Sequence, residues 1–269
     1  MPIFRDFQVA LYLALKAKFV LMAAGILSVV ASAMLLSSYF SGRQLVTVAL
    51  DIGLSTIRLL LPLLIVLLVQ ELLSREFDKR YYLSSLTYPR ARSSLLLGRF
   101  AAALALVLGL LLVLSLLQIG IVQVIGDVYP QATPVALGGA YVVVIAFIAL
   151  DLLVLTALAT LLAVVASTPS FVLIGTFGFM LVARSYGAIV DLLGRDVGLV
   201  SDAEGYRASL GVLGYLLPDL GAMDVRTVAL YGKMEFLSAD WPWLLLSGLG
   251  YAMALLALSA WALQRKRFS

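Results

Sequence analysis

Six long apolar runs constrain most strongly what this chain can fold into. They cover residues 19–36, 52–73, 100–124, 139–166, 171–190 and 243–263. A helix needs about 20 apolar residues to cross the hydrocarbon core of a bilayer. The chain is also 63% hydrophobic and only 13% charged, which leaves too little polar surface for a water-soluble globule. The sequence therefore predicts an all-α, polytopic membrane protein with six transmembrane helices, in a single domain over residues 1–269.

The composition excludes several kinds of chemistry. The chain contains neither cysteine nor histidine, so disulfides, thiolate nucleophiles, His or Cys metal sites and histidine-based catalysis are not available to it. We therefore expect no catalytic residue, no metal site and no cofactor in this chain. Its net charge of +4 is explained by basic residues that flank the spans, so it does not indicate a nucleic-acid partner.

The distribution of basic residues predicts how the chain is oriented. Lysine and arginine concentrate in the N-terminal segment, between the second and third spans and in the C-terminal tail, which six spans place on one side. The positive-inside rule then puts both termini in the cytoplasm of a bacterial or archaeal inner membrane. Residues 1–18 are amphipathic, and we expect them to form a helix that lies on the cytoplasmic face of the membrane.

Residues 191–241 are predicted to form an external segment before the last span. Residues 210–220 are apolar but too short to cross a bilayer, so they are compatible with a re-entrant helix that ends at Pro218. A small external cap without a ligand and a docking surface for a periplasmic partner are equally compatible with this segment.

A charged stretch, residues 75–92, connects the second and third spans. Tyr82, Leu83 and Leu86 recur at helical spacing, and Pro89 ends the helix that they predict. The result is a short amphipathic helix, which either rests on lipid headgroups or docks into a groove on a cytoplasmic partner. The residues singled out here are Arg75, Glu76, Asp78, Lys79, Arg80, Tyr82, Leu83, Leu86, Pro89 and Arg92.

Two stretches resemble a known family. The first comprises Arg75-Glu76, Tyr82-Leu83, Pro89, Arg92 and Gly98-Arg99, and it resembles the cytoplasmic signature of ABC transporter permeases of the ABC type-2 class. The second runs from Tyr215 through Pro218-Asp219 to Arg226, and it is similar to the Leu-Pro-Asn/Asp stretch before the last span in that class.

The resemblance implies a function that is divided among several chains. Residues 75–88 would be the coupling helix that receives the mechanical signal of ATP hydrolysis. No phosphate-binding G-x-x-x-x-G-K-[ST] motif occurs in the sequence, so a separate cytoplasmic P-loop ATPase, in two copies, would hold ATP and Mg²⁺. A second permease copy or a relative would complete the transport path. The chain itself would not be an enzyme.

Charges within the apolar runs are the other candidate site. Arg58, Asp151 and Arg184 qualify, because an ionised group in hydrocarbon costs roughly 2.5 to 3.5 kcal/mol unless it is paired or hydrated. Counting from the predicted span ends puts Arg58 about 9 Å below the outer face and Asp151 about 18 Å below it. They form either a substrate path for an anionic group or a structural ion pair of Asp151 with one of the arginines, and we favour the pair.

A different class of function also fits the sequence. The chain could be a non-transporting membrane scaffold, or an assembly factor for a periplasmic enzyme or envelope complex. An intramembrane enzyme fits less well, since no paired acids face each other on adjacent predicted spans.

Overall fold

The computed structural model describes residues 2–42, 44–74, 92–128, 135–166, 168–195 and 218–265, and none of these residues forms a β-strand. The helices, labelled in chain order, are α1 (Pro2–Ala14), α2 (Val20–Phe40), α3 (Leu45–Val69), α4 (Arg92–Val128), α5 (Gly139–Val165), α6 (Pro169–Arg195), α7 (Arg226–Tyr231) and α8 (Trp241–Arg265). Short π-helical turns follow α1 and α3, and a 3-10 turn lies between α7 and α8.

Six of these helices are long and apolar enough to span a membrane. The candidate spans are Val20–Phe40, Leu45–Leu73, Ser93–Asp127, Gly139–Val165, Pro169–Gly187 and Trp241–Arg265. The prediction of an all-helical chain with six apolar spans is therefore confirmed for the described residues. Which membrane they occupy and which side each end faces remain predictions.

Two helices begin earlier than the apolar runs indicated. Helix α3 begins at Leu45 rather than at residue 52, and α4 begins at Arg92 rather than at residue 100. In both cases a charged side chain, Asp51 or Arg99, had marked the expected boundary. Each of these side chains has a polar or charged partner, described below, so the helix can continue past it.

The helices differ in how much of their surface they bury inside the protein. About half or more of each of α3, α4 and α5 is buried, whereas α2, α6 and α8 bury 11 to 22% of their apolar windows. Helix α5 packs against α3, α4, α6, α7 and α8, and so it lies at the centre of the bundle. The apolar surfaces of α2, α6 and α8 are left to face lipid or another chain.

Several hydroxyl groups inside the bundle bond within their own helix. Thr156 and Thr160 of α5 donate to the carbonyl oxygens of Leu152 and Thr156 at 2.6 and 2.7 Å. These bonds to the preceding helical turn let hydroxyl groups lie in an apolar interior without a partner on another helix. The Tyr141 hydroxyl of α5 instead bonds to a neighbouring helix, since it donates to Gln118 Oε1 of α4 at 2.7 Å.

Helix α1 packs along the first part of α4. The Ser94 hydroxyl donates to Asp6 Oδ2 at 3.1 Å, and a Cβ added at Gly98 would lie 2.8 Å from Asp6 Cβ and 3.1 Å from the main-chain nitrogen of Phe7. Only a residue without a side chain allows this close approach. Lys18, in the π-helical turn between α1 and α2, has a φ of +68°. That α1 lies in the membrane interface, as the sequence predicts, remains a prediction.

We predict that Gly98→Val separates α1 from α4 and destabilises the protein by about 1 to 3 kcal/mol, because the added atoms meet backbone that cannot shift. The measurement is the thermal unfolding midpoint in detergent. Gly109→Val on the same helix is the matched control, since nothing lies within 4 Å of the Cβ position at Gly109. Equal midpoints for the two variants would contradict the proposed contact.

Candidate functional site

Arg58 of α3, Asp151 of α5 and Arg184 of α6 lie together in the interior of the helix bundle. Arg184 Nη2 donates to Asp151 Oδ2 at 2.6 Å, and Arg58 Nη2 lies 3.8 Å from the same oxygen. Arg184 Nη1 also donates to the main-chain carbonyl of Arg58 at 3.0 Å. The Asp151 side chain is only 1% exposed, so its negative charge depends on these guanidinium groups for compensation.

Arg58 lies deeper in its helix than the sequence indicated. A span that began at residue 52 would place Arg58 about 9 Å from the end of that span. Because α3 begins at Leu45, Arg58 lies about 20 Å from this end of the helix. Asp151 lies about 18 Å from the start of α5. The two side chains are therefore at matching depth, and this allows one carboxylate to approach both arginines.

The tightest charged partner of Arg58 comes from outside the spans. We call residues 218–240, which precede α8, the cap. Asp224 of the cap lies with Oδ2 2.6 Å from Arg58 Nη1, and Arg58 Nη2 donates to the Leu220 carbonyl at 3.1 Å. One buried guanidinium thus holds a carboxylate of α5 and two groups of the cap. Arg58 fastens the cap to the centre of the bundle.

The same network continues to a more exposed end. Arg226, the first residue of α7, lies with Nη1 3.0 Å from Asp51 of α3 and with Nε 3.4 Å from Asp224. Arg226 Nη1 also donates to the hydroxyl of Ser55, one helical turn from Asp51. Helix α3 can begin at Leu45 and continue past Asp51 because the charge of Asp51 is paired with Arg226 of the cap.

Within the described residues the network is balanced in charge and graded in exposure. It joins three arginines to three aspartates: Arg58, Arg184, Arg226, Asp51, Asp151 and Asp224. Side-chain exposure falls from 42% at Asp51 through 8% at Arg58 to 1% at Asp151. A balanced set leaves no surplus positive charge for an anionic substrate. The geometry therefore favours a structural ion-pair network over a path for an anionic substrate.

Pro218 and Asp219 shape the turn that brings the cap to the network. Pro218 is buried, and Asp219 Oδ1 accepts a hydrogen bond from the main-chain nitrogen of Ala222 at 2.9 Å. A Cβ added at Gly221 would lie 2.5 Å from the carbonyl oxygen of Arg184, so this turn packs directly on the backbone of α6. The motif residues Pro218, Asp219 and Arg226 thus all lie where the cap meets the spans. Of the apolar stretch 210–220, predicted to form a re-entrant helix that ends at Pro218, residues 210–217 lie outside the described residues.

Sequence reasoning missed Asp51, Ser55 and Asp224. A signal for Asp224 was present, because the spans contain two deep arginines and one deep aspartate. One positive charge therefore needs an acid from elsewhere in the chain. No pattern in the sequence indicates which of the acids beyond residue 190 supplies it, since the turn at Pro218 decides what reaches Arg58.

A second cluster lies at the opposite end of α3, where residues 75–91 begin and end. The buried Arg99 of α4 donates through Nη1 to the Leu72 carbonyl, which ties the end of α3 to the start of α4. Gln70 Nε2 donates to the Pro169 carbonyl at 2.7 Å, which ties the same end of α3 to α6. The connecting segment therefore emerges from a base that is bonded to several helices.

The predicted coupling residues themselves lie outside the described residues, with one exception. Residues 75–91 include Arg75, Glu76, Asp78, Lys79, Arg80, Tyr82, Leu83, Leu86 and Pro89, while Arg92 is the first residue of α4. Two residues of the first motif have structural roles in the described residues. Gly98 allows the close packing of α1 on α4, and Arg99 bonds the end of α3 to α4.

No protein-family profile matches the chain, and no curated protein matches it. In the part of the chain that the structure describes, no three His, Cys, Asp or Glu side chains are grouped to hold a metal ion.

We predict that Asp151→Asn strongly destabilises the protein, because it leaves Arg184 buried without its closest carboxylate. Breaking a buried pair from one side costs about 3 to 5 kcal/mol. The double variant Asp151→Asn with Arg184→Gln removes one charge of each sign, and it should recover about 0.5 to 3 kcal/mol of that loss. The measurement is the thermal unfolding midpoint of each variant in the same detergent.

Arg226→Gln, at the exposed end of the same network, is the control and should cost about 1 kcal/mol or less. Strictly additive effects of the Asp151 and Arg184 substitutions would contradict the ion pair. An Asp151→Asn protein of unchanged stability would contradict a structural role for this carboxylate.

Proposed function

We propose that this chain is the membrane-spanning permease subunit of an ABC transporter, which couples ATP hydrolysis on a separate cytoplasmic ATPase to export or to force transmission across the membrane. The observation that carries the proposal is the position of α3. One end of this helix is bonded at the base of residues 75–91, the segment that resembles a coupling helix. Its other half carries Asp51 and Arg58, which hold the cap.

This arrangement provides a mechanical route. A force on residues 75–91 acts on α3 and α4 together, because the Arg99 side chain ties the two helices at the base. Helix α3 runs from Leu45 to Val69 with Pro62 inside it, and the Arg58 carbonyl, which Pro62 leaves without a helical donor, accepts from Arg184 Nη1. Packed helices of this kind can transmit displacement between distant sites. At its far half, Arg58 joins that helix to Asp224 of the cap. Movement of α3 would therefore change the contact between the cap and the spans.

The proposal includes partners and an orientation. ATP and Mg²⁺ belong to the partner ATPase, in two copies, and a second permease or a relative completes the path. The chain lies in the cytoplasmic membrane of a bacterium or archaeon with both termini inside, so the cap is external and accessible to a periplasmic partner. The charges of the Arg58 network are balanced, which favours substrate contacts elsewhere in the chain, or contacts that form only when this network rearranges.

The alternative is a non-transporting scaffold or assembly factor for a periplasmic enzyme or envelope complex. One observation favours it: every charge in the Arg58 network has an oppositely charged neighbour, as a permanently closed structure would need. In that case residues 75–91 would serve localisation, and the cap would be the docking surface.

Purification from native membranes in mild detergent, followed by mass spectrometry of what accompanies the chain, separates the two functions. We expect a stoichiometric P-loop ATPase. Leu83→Asp should abolish its recovery, because a charge on the apolar face of an amphipathic helix opposes docking in a groove. Ser84→Asp, which adds the same charge at the next position, is the matched control and should retain the ATPase.

A pure chain without an ATPase, under conditions that preserve other membrane complexes, would contradict the transporter proposal. Co-purification of a periplasmic enzyme in place of an ATPase would establish the scaffold alternative. Equal loss of the ATPase from both variants would show that residues 75–91 do not dock through the face that contains Leu83.

A further inference from the structure

The cap is inserted between the spans. Leu220, Met223 and Val228 of the cap are each 1% exposed or less. Gly221 packs on the backbone of α6, and a Cβ added at Gly248 of α8 would lie 2.9 Å from Met223 Cε. Helix α7 of the cap packs against α3 and α5. Cap residues therefore contact four spans, and Asp224 reaches Arg58 from among them.

The deep charges of the spans are not balanced without the cap. Arg58, Arg184 and Asp151 together carry a net charge of +1, and Asp224 of the cap supplies the missing negative charge. Asp51, the other acid of α3, lies about 10 Å from Arg58 along the helix and is 42% exposed, so water can compensate it. Movement of the cap away from the spans would therefore leave one uncompensated cation in the interior. Such a cation is costly unless another anion takes the position of Asp224.

The two deep arginines have more donors than Asp224 uses. Asp224 contacts Arg58 through Oδ2 at 2.6 Å, while its Oδ1 faces Arg226 at 3.4 Å. The Nε atoms of Arg58 and Arg184 are buried and have no hydrogen-bond partner among the described residues. A guanidinium group binds an oxyanion most strongly through two parallel N–H bonds. A ligand that is not tied to the cap could use both oxygens of its oxyanion on these donors.

The surplus of one positive charge indicates which anion fits. A carboxylate carries a single negative charge, and a carboxylate is the group that Arg58 holds in this structure. A phosphate monoester carries about −1.5 to −2 at pH 7. It would leave excess negative charge at a depth where an unpaired charge is costly. A monovalent carboxylate therefore matches the site better than a phosphate monoester.

We propose that Arg58 and Arg184, together with Asp151, form a binding site for one carboxylate group of a ligand, and that Asp224 occupies this site while the cap is docked. Ligand binding would release the cap, and docking of the cap would exclude the ligand. The docked arrangement disfavours a path for an anionic substrate, and this exchange would open one. All the groups involved belong to this chain, so binding can be tested without a partner ATPase.

The first test is equilibrium dialysis of the full-length protein in detergent with radiolabelled benzoate. Asp224→Ala removes the competing carboxylate and should bind one benzoate per chain. We expect this binding to be at least about tenfold tighter than that of the parent chain, because a tethered group acts at an effective concentration in the millimolar range. Asp51→Ala removes an acid from the exposed end of the same network, and this matched control should bind benzoate as weakly as the parent.

The second test uses the parent residues of the network, so it does not depend on the folding of an Asp224 variant. The chain has no cysteine, and the buried Val228→Cys in the cap can report access of a maleimide. Saturating benzoate should raise the labelling rate severalfold, whereas the uncharged benzamide should not. Val154→Cys, equally buried in α5, is the control and should show no change.

Equal benzoate binding by the parent, Asp224→Ala and Asp51→Ala would overturn the proposal, and so would equal binding of benzamide. Unchanged labelling of Val228→Cys at saturating benzoate would contradict the exchange with the cap. If formate restores the stability of Asp224→Ala but benzoate does not bind, the position only accommodates the missing side-chain carboxylate and is not a ligand site. Dimethyl phosphate also carries one negative charge, and tighter binding of it than of benzoate would overturn the assignment to a carboxylate.

Discussion

The guanidinium of Arg58 is the group on which the arrangement of this bundle depends. A lone cation at this depth is costly, so the helices around it must supply acids at the same level. Asp151 supplies one from α5, and Asp224 supplies the other from the cap. The need to compensate one charge therefore sets the register of α3 against α5. It also brings a segment from outside the spans onto the bundle.

The network has consequences beyond the local pairs. Arg184 bonds both to Asp151 and to the main chain at Arg58, so α6 is held to α3 and α5 through the same carboxylate. Toward the exposed end, Arg226 joins the cap to Asp51 near the start of α3. Van der Waals packing and interhelical polar contacts both join apolar helices in lipid. Here the ion pairs add contacts that fix which residues of α3, α5 and α6 face one another.

Much of the fold could be predicted from sequence because membrane spans leave a strong one-dimensional signal. The six apolar runs located all six candidate spans, and the deep charges Arg58, Asp151 and Arg184 were identifiable as residues that need partners. The ends of the spans were less predictable. An unpaired charge such as Asp51 would end a span, but the same charge is tolerated inside the helix when Arg226 of the cap pairs with it.

The residues that could not be identified from the sequence make contacts with segments far away along the chain. Asp224 lies far along the chain from Arg58, and only the turn from Pro218 to Met223 brings the two together. Likewise, Gly98 and Arg99 were recognisable as part of a motif. Their structural roles, the packing of α1 at Gly98 and the bond from Arg99 to the end of α3, depend on contacts between helices. Contacts of this kind are set by three-dimensional packing and leave no periodic pattern.

The central claim, that Arg58 fastens the cap to the spans, can be tested by one distance measurement. The chain has no cysteine, so spin labels can be placed at Phe171→Cys near the start of α6 and at Tyr231→Cys in the cap. Both side chains are exposed, and they lie toward opposite ends of the spans, on the order of 30 Å apart. Pulsed electron resonance should give one narrow distance for the parent chain and a broad distribution after Arg58→Gln. An equally narrow distribution in both would show that the cap is held without Arg58.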